Sequence, residues 1–195
     1  MRRALALSAI RRLAAHLAAH PPTAAAEPER LRAAVALCMA EGPDAILVIQ
    51  RAAHPDDPWS GHMGLPGGRH EPRDEDLVAT AIRETMEEVG VPLSRSALVG
   101  ALDDVYPRST TTSPFLVRPF LFGVPERFPV TPSDEVADAF WLDLDRLLHP
   151  STYQHVSLTV GGVVRTVPGY VLDGERVIWG MTERVITPLV EVLRG

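Results

Sequence analysis

A chain of 195 residues, 46% hydrophobic and 23% charged, has the length and make-up of one soluble folded unit with a sizeable core. Its net charge of −6 argues against a nucleic-acid coat or an anionic-membrane binder, because both need a basic surface. The single cysteine, Cys38, rules out an intrachain disulfide and fits a reducing, cytoplasmic compartment. Set in the apolar run AAVALCMA, it reads as a small buried hydrophobe and not as a nucleophile.

The first twenty residues, MRRALALSAIRRLAAHLAAH, hold four arginines and no acid. They predict an amphipathic surface helix with one apolar face on the domain, although mitochondrial transit peptides share this composition. PPTAAAEP over 21–28 reads as a linker, which sets residues 1–28 apart from a folded domain over 29–195. No run of 18 apolar residues exists, so no transmembrane span is expected. Leu31–Ala40 leads into Ala45–Ile49, a short apolar run fit for a buried strand. His54–Gly64 is rich in Pro, Asp and Gly, hence loop. A helix follows over Glu75–Val89. Leu98–Tyr106 and Phe115–Val124 read as strands, and Pro119 in the second suggests an edge or a bulge. The hydroxyl run Ser109–Ser113 between them reads as a loop that borders a substrate cleft. Ala139–Leu142 is a short strand and Leu144–Leu148 a short helix. Val156–Val167 reads as a hairpin about Gly161-Gly162, and Val177–Trp179 as a last strand. Thr182 is placed to cap a final helix, and Pro188 predicts that this helix kinks or begins late. The mix suggests a sheet flanked by helices on both sides.

The chemistry concentrates in Gly67–Val91, GGRHEPRDEDLVATAIRETMEEVGV. Helical residues advance about 100° each, so Val78, Ile82, Thr85 and Val89 form a core stripe within about 60°. Thr85 is its one polar member. Glu84, Glu87 and Glu88 cluster on the other side, where like charges repel by a few tenths of a kcal/mol per pair. A divalent cation converts that repulsion into coordination, and oxygen-only donors suit Mg²⁺ or Mn²⁺ over Zn²⁺. Gly90 stops the helix. Pro66-Gly67-Gly68 forms a tight loop where backbone can approach a phosphate or a metal. The bland alternative is a solvated Glu-rich helix face.

The order of these residues resembles the signature box of the Nudix hydrolases, Gly-x5-Glu-x7-Arg-Glu-U-x-Glu-Glu-x-Gly-U, with U bulky and apolar. There are two departures. Thr85 stands at a U position, and 14 residues separate Gly68 from Arg83, one more than the box has. The early acid is therefore Glu75 or Asp74. The resemblance implies an α/β fold, a Nudix-type α/β/α sandwich with a mixed central sheet, and metal-dependent cleavage of a diphosphate linked to another moiety. It implies Glu84 and Glu88 as principal metal ligands, Glu87 as a further ligand, and the Gly68 carbonyl as part of the shell. Glu84 serves as ligand or as base. Arg83 is expected to orient a box carboxylate. A general base from a later loop is expected at Asp134-Glu135, with Glu135 ahead; the bland reading of that pair is the acidic start of a helix. Nudix enzymes are often dimers, so the resemblance makes the N-terminal and C-terminal helices candidate homodimer interfaces, while the sequence leaves the oligomeric state open.

Three segments are similar to the coenzyme A pyrophosphatase branch. Gly61-x3-Leu65-Pro66-Gly67-Gly68 matches its Gly-x3-Phe-Pro-Gly-Gly. Arg51 stands for the first of its two arginines, one residue too distant, and Asp56-Asp57 occupies the stretch of the second. The longer box occurs there too, and Ile178-Trp179-Gly180-Met181-Thr182 resembles its C-terminal Ile-Trp-Gly-x-Thr. Substrate contacts are expected from Arg51, Trp59, Gly67 and Gly68. Arg51, Arg69, Arg73, Arg108 and Arg118 are candidates for a basic cleft. Trp59 can stack on a base or pack locally, and Trp179 reads as core. His62, His70, His149 and His155 lack metal-ligand spacing.

Overall fold

The structure, a computed structural model, describes residues 8–23, 31–54, 60–106, 116–160 and 162–195. Its frame is a seven-stranded mixed sheet. Strand β1 (Leu31–Ala40) runs parallel to β6 (Leu116–Val124) along its whole length. On its other side β1 pairs antiparallel at its start with β4 (Gly67–Arg69) and at its end with β2 (Ala45–Arg51). Strand β2 also pairs with β3 (Met63–Gly64) and β7 (Val136–Asp143), and β6 with β5 (Leu98–Ala101).

The strand alternation divides the core into two layers. Leu37 and Met39 of β1, with Ile46 and Val48 of β2, face α1 (Ala9–Ala19) and α4 (Gly180–Arg194). Ala34, Ala36 and Cys38, with Leu47 and Ile49, face α2 (Leu77–Val89). Helices therefore cover both faces of the sheet, as the alternation of elements implied. Burial pushes the Cys38 thiol up to about 12, consistent with a packing role. A second, three-stranded antiparallel sheet is built from β8 (Tyr153–Val160), β9 (Val163–Val171) and β10 (Val177–Trp179), after the short α3 (Leu144–Leu148).

The N-terminal helix is fastened through its first turn. Asp44 Oδ2 accepts from the Ala9 N–H at 3.1 Å, an acid at the positive end of the helix. Arg12 donates to the carbonyls of Leu193 and Val192 at 2.9 and 3.0 Å, where the last turn of α4 has no partners of its own. Leu13 is fully buried in the same core as α4. Among the described residues no helix is long and apolar enough to cross a membrane.

Several local expectations change. Pro119 lies in a strand paired on both sides, not at an edge. Its carbonyl accepts from Leu102 N–H at 2.9 Å, just past the end of β5. The strand expected over Leu98–Tyr106 ends at Ala101, and Val105 forms only an isolated bridge to Val117. The loop expected over 54–64 ends in β3. Thr182 does not cap α4; the helix starts at Gly180, and the Thr182 hydroxyl donates to the Met63 carbonyl at 3.3 Å. Nor does α4 begin late, since it runs through Pro188 to Arg194. Loop 109–113 lies outside the described residues.

Candidate active site

Helix α2 carries the acidic box, and each of its ends has a physical reason. Asp76 caps it by accepting from Ala79 N–H at 2.8 Å. Gly90, left-handed at φ 70°, ends it and returns its N–H to the Met86 carbonyl. Thr85 is tolerated in the core stripe because its hydroxyl donates to the Ala81 carbonyl at 2.7 Å. Burial decides the early acid. Glu75 is exposed and pairs with Arg95, whereas the side chain of Asp74 is 4% exposed. Asp74 accepts from Arg83 Nε and Nη2 at 2.8 and 2.9 Å and from the Thr80 hydroxyl at 2.9 Å. The bond to Arg83 holds its carboxyl far below the usual carboxylate range.

Arg83 gathers the box. Besides Asp74 it donates to Glu84 Oε1 at 3.0 Å, Glu87 Oε2 at 2.8 Å and the Arg69 carbonyl at 3.0 Å. Its five N–H groups match this many acceptors in one plane, which a lysine cannot do. Glu87 is half exposed and also receives Arg73 at 3.1 Å.

Glu88 and Glu84 stand apart from Glu87. Glu88 is 5% exposed, and its Oε2 accepts from Gly67 N–H at 2.8 Å. Burial pushes its carboxyl up to about 7, with Glu84 and Glu135 adding to the rise and Gly67 N–H and Arg51 opposing it. Glu84 is raised as well, first by burial, with Arg83 opposing and Glu87 and Glu135 adding. Its carboxylate stands over Gly68, where a Cβ would meet Glu84 Oε1 at 2.4 Å. Gly67 is held as closely, since a Cβ there would meet Ala34 O at 2.3 Å.

The charge of Glu135 adds to the rise of both Glu84 and Glu88. The loop before β7 is sewn to the end of α2: Thr131 N–H donates to the Val89 carbonyl and Ser133 N–H to the Glu88 carbonyl, both at 2.8 Å. The pair Asp134-Glu135 forms a turn leading into β7 and not the start of a helix. Arg51, at the end of β2, opposes the rise of Glu88 by its charge, and its N–H bonds to the His62 carbonyl at 3.1 Å.

This donor set fits an oxygen-seeking dication. Two poorly solvated carboxylates, a third nearby and glycine backbone are hard oxygen donors, and no sulfur or imidazole is among them. In the arrangement described, no three acidic, histidine or cysteine side chains among the described residues surround one point. Glu84 and Glu87 share Arg83, and Glu88 holds Gly67.

One consequence is a stability profile in EDTA. Glu88 titrates near 7 when folded and near 4.5 when unfolded. The stabilisation of its protonated form is complete below the lower value and is lost as pH rises through the upper one, at most about 3 kcal/mol. The urea midpoint of the metal-free protein is expected to fall from about pH 5 to about pH 8, and Glu88→Gln to flatten that fall. A wild-type midpoint that climbs over this window contradicts the assignment.

The other expected residues are scattered. Trp59 and Arg108 lie outside the described residues. Arg73 pairs on the surface with Glu71 and Glu87. Arg118 pairs with the buried Asp104. His70 meets the Thr80 hydroxyl at 3.1 Å, on the outer side of Asp74. Sequence reasoning missed the contact between His62 and Trp179, whose rings lie 4.8 Å apart, edge to face. It also missed the role of Thr131 and Ser133, whose signal is only a polar loop after the box.

The NUDIX domain family model matches residues 29–159. A mitochondrial coenzyme A diphosphatase of Homo sapiens is 33% identical over 160 residues, 80% of this chain and 66% of that protein. The chain thus spans about two thirds of that relative's length. The Nudix hydrolase NudL of Yersinia pestis (strain Pestoides F) is 32% identical over 162 residues, 82% of this chain and 78% of that protein. A solved MutT/nudix family protein from Enterococcus faecalis shares the fold at a TM-score of 0.56 and 20% identity, over 94% of this chain and 73% of that one.

Proposed function

The chain belongs to the Nudix hydrolase family, and on that premise we propose that it hydrolyses the diphosphate of coenzyme A or its thioesters, giving 3′,5′-ADP and 4′-phosphopantetheine or its acylated form. The observation that carries this reading is an adjacency. Gly61–Gly68 and Ile178–Thr182, the segments similar to the coenzyme A branch, lie against each other beside the acidic box. His62 meets Trp179 and Met63 accepts from Thr182. The relative with a coenzyme A activity in its name supports the same substrate.

In this reading Glu84 and Glu88 are the principal ligands of Mg²⁺ or Mn²⁺, with Glu87 a further ligand and the backbone of Gly67-Gly68 at the edge of the shell. When bound, such an ion screens the diphosphate and makes a water acidic enough to attack it. The chain's own residues do the rest. Arg83 fixes the direction of Glu84 through its pairing with Asp74. Glu135, carried beside Glu84 and Glu88 by the sewn loop, takes the proton of the attacking water. Arg51, next to Glu88, offers a cation to a substrate phosphate. The burial that raises Glu88 excludes competing water.

Phosphate-product release is to be followed by chromatography for coenzyme A, acetyl-coenzyme A, ADP-ribose, NADH and deoxynucleoside triphosphates, with Mg²⁺, Mn²⁺ or EDTA. Cleavage of coenzyme A, abolished by EDTA, is the expected outcome. Asp56-Asp57, where the branch has its second arginine, favours the runner-up, a Nudix pyrophosphatase for ADP-ribose, NADH or (deoxy)nucleoside di- and triphosphates. Cleavage of one of these alone selects it. Silence with both metals selects a nucleotide-binding regulator without turnover.

A further inference from the structure

The loop between β4 and α2 is held by a residue that the acidic box does not name. Glu71-Pro72-Arg73-Asp74 folds into a turn closed by Asp74 N–H on the Glu71 carbonyl at 2.9 Å, with Pro72 where its fixed φ suits the bend. Asp74 Oδ2 accepts in return from Glu71 N–H at 3.0 Å. The turn lies in the stretch that is one residue longer than the box. These bonds shape the turn, but they do not set where it sits on the helix.

Thr80 does that. It is fully buried on α2, and its hydroxyl stands 2.9 Å from Asp74 Oδ2, 3.3 Å from the Asp76 carbonyl and 3.1 Å from His70 Nδ1. A hydroxyl has one proton to give. Asp74 is ionised and can only accept. It is also nearer than the Asp76 carbonyl, which already takes the Thr80 N–H at 3.1 Å. The proton therefore goes to Asp74, and the Thr80 oxygen accepts from His70 Nδ1–H. One short, β-branched side chain with few rotamers thus ties both limbs of the loop to the helix.

The tie bears on the box through Arg83. Asp74 holds the Nε and Nη2 edge of its guanidinium. The group is planar, so fixing that edge also aims Nη1, which Glu84 Oε1 and Glu87 Oε2 share at 3.0 and 2.8 Å. A turn that shifted along α2 would carry Asp74 with it and swing Nη1 off both carboxylates. Resting on the metal-site reading above, we propose that Thr80 is a positioning residue of the hydrolytic site. It seats Asp74 on α2 and so sets the direction in which Arg83 holds Glu84.

Thr80→Val keeps the shape and removes the hydroxyl, whereas Thr80→Ser keeps the hydroxyl and removes a methyl group. Mn²⁺ is titrated into the metal-free full chain of wild type and both variants, with the free ion followed by electron paramagnetic resonance. Thermal midpoints are recorded, and kcat and KM are measured on the panel substrate that wild type cleaves. Thr80→Val is expected to weaken Mn²⁺ binding about 10-fold and to lower kcat by a similar factor with KM nearly unchanged, as loss of a partner behind the ligands does. Thr80→Ser is expected to restore both. In an Asp74→Asn background Thr80→Val should cost little more, because the two residues act in series. A Thr80→Val protein that melts lower but binds Mn²⁺ and turns over like wild type has lost only packing, and overturns the proposal. So does a Thr80→Ser protein as impaired as Thr80→Val, or a full second loss in the Asp74→Asn background. If wild type binds Mn²⁺ but cleaves nothing, the hydrolase reading fails and the titrations alone decide on Thr80. If wild type binds no Mn²⁺, the metal site falls and the role of Thr80 with it.

Discussion

Replacing Glu88 by Gln is expected to lower kcat by at least about 10², near 3 kcal/mol of barrier, without unfolding the protein. Gln has the same shape, and its amide oxygen can still accept from Gly67 N–H at the position where Glu88 Oε2 does so now. What it cannot supply is charge in a site where burial already holds the carboxyl near 7. In EDTA at alkaline pH the variant should therefore melt no lower than wild type. Added Mn²⁺ should raise the midpoint of wild type and leave that of the variant nearly unchanged. Glu84→Gln is expected to lose turnover on the same scale, because it removes the carboxylate over Gly68 and one acceptor of Arg83. Steady-state rates with circular dichroism on the same samples decide the matter. Near-native turnover in either variant sinks the metal-site assignment.

Gly67→Ala should be the most damaging single methyl group that can be added near the site. The new Cβ would stand 2.3 Å from Ala34 O and 2.5 Å from Val35 Cα, both backbone atoms of the central strand. Neither can swing away, so β4 must leave β1, at a cost of about 3 kcal/mol or more. Gly68→Ala is a useful contrast. Its obstacle is the Glu84 carboxylate, the movable end of a side chain. Stability should change little while turnover falls, because the displaced group is the one that works. Urea midpoints and rates for the two variants should thus move in opposite proportion. A Gly67→Ala protein as stable as wild type means that β4 is not locked to β1 as described.

The box helix was readable because several independent signals agree over Asp76–Gly90. A capping acid, a core stripe at helical spacing and a stop glycine all point to one segment. The alternation of elements likewise implied helices on both faces of a sheet. Between Glu75 and Asp74 the sequence left the early acid open, because spacing alone does not report burial. Arg83 settles it by reaching Asp74 with two nitrogens. Pro119 misled because a strand's own residues do not report its neighbours, and β6 is paired on both sides. Thr182 misled in a similar way, since its hydroxyl answers a carbonyl 119 positions away. Contacts of that range, such as His62 with Trp179, leave no periodicity to read.

The stitching of Thr131 and Ser133 to the last carbonyls of α2 has a mechanical meaning. Glu84, Glu88 and Glu135 ride on one rigid jaw, and a tilt of the helix carries all three together, keeping their mutual distances. A tilt of α2 would therefore shift the carboxylates of the box and the loop ahead of Glu135 as one unit.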